Sequence, residues 1–172
     1  MQEDTNVPAP GMPPEVLQAA QILAGKHNNG SGWFTWIAGL SLVNSAVILL
    51  GSTWSFLIGL GATQIIDGFA MTTAENIEAP AKTIILAVAF LIDLIIAGSF
   101  FLWGMLARKG YRWAYIVGIV LYSLDGLIFL VFQDFPSLGF HIFALYYLVN
   151  GFRACGQLKQ LIAAYPDLAS GQ

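Results

Sequence analysis

The sequence predicts an all-α, polytopic membrane protein: a bundle of about five transmembrane helices with a short N-terminal amphipathic helix. Three observations lead there. Only 10% of the 172 residues are charged and 57% are hydrophobic, where a soluble domain carries about 25% charged residues. The mean hydropathy is +0.70. The apolar residues also gather into five runs, each near the roughly 20 residues that cross about 30 Å of hydrocarbon. The same composition excludes disorder, a collagen-like chain and a disulfide scaffold. Seven Lys and Arg against ten Asp and Glu leave no basic footprint, so nucleic acid is not an expected partner. The expected partners are the lipid bilayer and other membrane subunits or further copies of this chain.

Residues 1–32 read as an arm. Pro8, Pro10, Pro13 and Pro14 give its start an extended character. Glu15 to Ala24 then carries a helical pattern, with Val16, Leu17, Ala20 and Leu23 on one face and Gly25 as its stop. About three turns cannot cross a bilayer, so this helix is expected on the interface or docked on the bundle. No basic n-region precedes it, so it does not read as a secretory signal. The run from His27 to Gly32 reads as a linker.

Residues 33–155 form the expected five-helix transmembrane domain. Its segments are Trp33–Leu50, Trp54–Met71, Thr83–Ala107, Arg112–Phe132 and Leu138–Cys155. The first two are short and separated by three residues, so they form a tight hairpin or one of them is re-entrant. The third needs tilt or projection beyond the bilayer. Residues 156–172 are a short tail, a helical extension that stops near Pro166.

The tryptophans support these spans. Trp33, Trp36, Trp54, Trp103 and Trp113 all fall at segment ends, where amphipathic rings meet the membrane interface. Five crossings place the termini on opposite sides. Arg108, Lys109, Arg112, Arg153 and Lys159 then face Lys26 and Lys82. The positive-inside rule predicts an integral protein of the cell (inner) membrane, N-terminus outside and C-terminus cytoplasmic. That count changes if the first two segments do not both cross.

Few polar residues interrupt the spans. At 1.5 Å per residue from the outer face, Asn44 lies roughly 16 Å deep, Asp93 roughly 15 Å, Asp125 roughly 12 Å and Asn150 roughly 18 Å. Gln64 sits slightly above them. These five form the candidate proton or cation site, Asp93 and Asp125 as the carboxyls and the amides as supporting ligands. Asp67 and His141 share a shallower level, and Arg153 lies toward the cytoplasm, where it snorkels. With Arg153 the only cation nearby, at least one buried carboxyl is expected to be protonated or to hold a cation. The competing role for the same residues is interhelical hydrogen bonding. Asn44 to Asp67 and Asp125 to Asn150 also suggest an inverted repeat of two hairpins, an arrangement found in transporters. The glycines of segments two to four read as packing positions.

Enzymatic motifs are missing. The chain has no HExxH zinc site, Gly-x-Ser-x-Gly elbow or phosphate loop. The two membrane aspartates lack the Gly-x-Gly-Asp context of intramembrane proteases. No cofactor or metal is implied; His141 alone cannot give a bis-His haem within one chain, though it could serve a pigment or haem shared with a partner. Cys155, the lone cysteine, can form no internal disulfide. The function expected first is a non-catalytic structural or accessory membrane subunit, or a homo-oligomer. The alternative is a proton- or cation-coupled transporter or channel using the Asp/Asn cluster.

Overall fold

The computed structural model describes residues 12–49 and 59–170, and these contain helices and short turns with no strand. The helices are α1 (Pro14–Leu49), α2 (Gly61–Ala74), α3 (Ala81–Arg108), α4 (Arg112–Val131), α5 (Phe135–Ala164) and a final turn, α6 (Asp167–Ser170). Three of them, α1, α3 and α4, are long and apolar enough to cross a membrane. Helix α5 has 30 residues but falls short of the others in apolar content. The Pro-rich start of the arm and the first five residues of segment two, Trp54 among them, lie outside the described residues.

Helix α1 corrects two expectations. Gly25 does not stop a helix, and His27 to Gly32 is no linker: 36 residues run unbroken, about 54 Å of helix. Packing explains it. A Cβ on Gly30 would lie 2.5 Å from the Cα of Gly151 on α5, so only glycine permits that approach. His27 is buried, its Nε2 3.2 Å from the Arg108 carbonyl and its Nδ1 3.1 Å from the Tyr115 hydroxyl. These contacts outweigh a weak helix propensity of about 1 kcal/mol per glycine. The expected boundaries at 32/33 and 155/156 therefore fall inside α1 and α5, so arm and tail are continuous with the bundle.

The contacts also fix direction. Along α1, His27 meets Arg108, Phe34 meets Gly104, and Ser45 meets Asp93, so α1 is antiparallel to α3. Gly30 against Gly151 and Trp33 against Tyr147 and Phe143 make α1 antiparallel to α5 as well. Ser41 and Ser45 of α1 meet Leu60 and Asp67 in ascending order, so α1 and α2 run the same way. They are not an antiparallel hairpin, whereas α4 and α5 are, and the proposed inverted repeat is lost.

The beginning of α1 thus shares one end of the bundle with the end of α5. Five crossings would instead place these two helix ends at opposite ends of the bundle. Four long helices traverse the bundle, and α2, with 14 residues and about 21 Å, traverses only part of it. Six of the seven Lys and Arg gather at the shared end, with Lys82 alone opposite. Trp33 and Trp36 lie one and four residues past Gly32, whose Cβ position is 3.8 Å from the Arg108 guanidinium.

Phe34 is the centre of the core. It is fully buried, and Cβ positions on Gly104 and Gly118 would fall 2.9 and 2.3 Å from its atoms. A Cβ on Gly61, at the start of α2, would lie 3.0 Å from Phe129 and 3.2 Å from Ile128 on α4, a close but less severe approach. Gly68 and Gly98, grouped with them from sequence, face open space.

Candidate functional site

The site follows from where α2 begins. Its first N–H groups have no partner within the helix, and here they open inside the bundle rather than in water. Asp125, on α4, receives them: Gly61 N–H donates to Oδ2 at 2.8 Å and Ala62 N–H to Oδ1 at 2.9 Å. A carboxylate at a helix N-terminus also meets the positive end of the helix dipole. One residue earlier, Leu60 N–H donates to the Ser41 hydroxyl at 2.9 Å, and that hydroxyl donates to Ile37 O at 2.8 Å.

His141 completes this cluster from α5. Its Nε2 lies 2.9 Å from Asp125 Oδ2, and its Nδ1 lies 2.9 Å from the Ser137 carbonyl. Both ring nitrogens face oxygen acceptors. Nδ1 therefore carries a hydrogen, and a second proton occupies the Nε2–Oδ2 contact, whichever partner owns it. The imidazole stacks on Tyr122, centroids 4.3 Å apart at 15°, and touches Phe129 at 4.8 Å. Tyr122, Asp125, Gly126 and Phe129 follow i, i+3, i+4, i+7 spacing, so one face of α4 builds the whole cradle. Asp125 and His141 are 7% and 1% exposed, and every polar atom of the pair is used.

A second cluster lies about one and a half turns further along α2. Asp67 of α2 and Asp93 of α3 are fully buried, and their carboxyls meet each other and the Ser45 hydroxyl of α1. None of the four carboxyl oxygens, nor Ser45 Oγ, has a hydrogen bond of good geometry. The one ion-pair geometry among the described residues is Asp125–His141, so no Lys or Arg offsets Asp67 and Asp93. Asn44 is buried beside Gly59, one residue before Ser45.

The expected single layer of Asn44, Asp93, Asp125, Asn150 and Gln64 thus resolves into two separate pairs. Asp93 joins Asp67 rather than Asp125, and Asp125 joins His141 rather than Asp93. The physical reason is the short α2, which starts inside the bundle and parallel to α1. That shifts Asp67 to the level of Asp93. Gln64 is half-buried and lines a cleft of about 360 Å³ between α2 and α4. Asn150 stands apart from both clusters: it is nine residues past His141, about 13 Å along α5, beside the Gly30–Gly151 contact. Arg153 is exposed at the basic end.

Sequence reasoning missed Ser45, Ser41 and Ser137, and placed His27 in a linker. Ser41 and Ser45 carried a signal, small polar side chains inside an apolar segment, whereas Ser137 and His27 lie outside the expected spans. No family model, curated protein or solved structure matches this chain.

Proposed function

We propose that this chain is an integral membrane protein that binds a proton or a small cation at Asp67 and Asp93 and couples it to transport. The single observation carrying this is the pair itself: two fully buried carboxyls, facing each other, with no hydrogen-bond donor of good geometry and no basic partner. Two such groups cannot both stay ionised with nothing between them. They share a proton, or their oxygens coordinate a cation with Ser45 Oγ as a further oxygen donor. Discontinuous helices starting at mid-bundle are also a recurrent feature of transporter sites. Helix α2 starts at mid-bundle, against Asp125.

The test is flux in proteoliposomes. Wild-type protein is expected to carry protons or a monovalent cation down an imposed gradient, and Asp67→Asn/Asp93→Asn is expected to abolish it. Equal flux from both proteins would remove the site.

The gathering of six basic residues at one end favours that end as cytoplasmic, with both termini there, in the cell (inner) membrane. A second reading, a non-catalytic subunit that packs against other membrane subunits or itself, is favoured by the Asp125–His141 cluster. That cluster is fully hydrogen-bonded and joins α2, α4 and α5, as a purely architectural polar network does. Copurification of a stoichiometric partner, with wild-type flux absent, is the outcome that selects it.

A further inference from the structure

We infer that a cleft at the basic end binds an anionic phosphate group. It lies between α1, the α3–α4 turn and α5, and encloses about 290 Å³. Arg108, Lys109 and Lys159 line it together with His27 and Asn28, and no Asp or Glu does. None of the three cations has a carboxylate within ion-pair distance among the described residues. Three like charges around one cleft repel each other, and a bound anion reverses the sign of that interaction.

The backbone builds the convergence. Gly110 has φ of 84°, the left-handed conformation that glycine adopts at no cost. Gly110 N–H donates to Ala107 O at 2.8 Å and Tyr111 N–H to Leu106 O at 3.1 Å, which closes α3 in a tight C-terminal turn. That turn brings Arg108 and Lys109 beneath α5. Lys159 Cε sits 3.4 Å from the Gly110 Cβ position, so the lysine lies directly over the turn.

The location favours a lipid headgroup as the phosphate source. The cleft lies where α3 ends and α4 begins, beside Tyr111 and Trp113, which are 49% and 52% exposed. Aromatic rings and basic residues at that depth mark the headgroup level. A soluble phosphate presents the same chemistry from the aqueous side.

The experiment compares full-length protein in nanodiscs of phosphatidylcholine with and without phosphatidylglycerol. Native mass spectrometry is expected to show one phosphatidylglycerol retained in preference to phosphatidylcholine. Arg108→Gln/Lys109→Gln/Lys159→Gln is expected to weaken retention about a hundredfold, as three basic residues at a membrane surface imply. Arg153→Gln, a charge loss at the same end but outside the cleft, is expected to retain the lipid. In phosphatidylcholine nanodiscs, 31P line broadening of inorganic phosphate that vanishes in the triple variant identifies soluble phosphate as the source, and also supports the site. Equal retention of both lipids without phosphate broadening overturns the proposal. So does a loss in Arg153→Gln as large as in the triple variant.

Discussion

At the residue scale, Gly118 and Gln133 make opposite demands. Phe34 occupies the space a side chain at Gly118 would need. Gly118→Ala is therefore expected to destabilise the fold by about 1–3 kcal/mol. Gly98→Ala, with nothing within 4 Å of the new Cβ, is expected to stabilise it by about 0.5–1 kcal/mol through helix propensity. Reversible unfolding in detergent measures both. Gln133 holds φ of 57° at the end of α4, where Gln133 and Asp134 N–H groups close the helix onto Leu130 and Phe129 carbonyls. A non-glycine residue there costs about 1–2 kcal/mol. Gln133→Gly is expected to recover part of that cost, and the same unfolding measurement reads it as a gain. The sequence announces a polar turn at this point but not its handedness, which depends on how α4 and α5 pack.

At the element scale, the two polar pairs respond differently to neutralisation. In Asp125→Asn, either orientation of the amide sets its NH2 against a backbone N–H of α2, that of Gly61 or Ala62, donor against donor. The cost expected is about 3 kcal/mol, read as lower thermal stability. In Asp93→Asn no existing hydrogen bond is lost. The fold is expected to hold within about 1 kcal/mol while proton or cation binding fails. Helix identity was legible for α3 and α4, whose apolar runs match their observed limits within about two residues. The cap of α5 was legible in principle: Asp134 accepts from Ser137 N–H and hydroxyl, with Pro136 in the first turn. The course of α1 was not legible. Its glycines and asparagines have low helix propensity, and only the Gly30–Gly151 approach and the buried His27 reverse the balance. The candidate site was half legible for the same reason. Asp93 and Asp125 stand out in any apolar run, but their partners depend on the direction of α1 and the late start of α2, which depth counting cannot supply.

At the scale of the whole molecule, two properties are linked. The first is topological: the start of α1, the end of α5 and six of the seven basic residues share one end. Reporter tags on either terminus are expected on the cytoplasmic side, and opposite locations would contradict the bundle's helix directions. The second is chemical and central: the buried Asp67–Asp93 pair takes up a proton or a cation. Infrared spectroscopy of the protein in lipid tests it most directly, because it reads the carboxyl groups themselves. The account predicts a protonated-carboxyl band at neutral pH, or one that appears only on acidification where a cation holds the pair. In either case added cation weakens it, since both ligands compete for the same oxygens. Asp67→Asn/Asp93→Asn is expected to erase it. A spectrum with no such band at any pH where the protein stays folded, and no change between wild type and the double variant, would contradict the account.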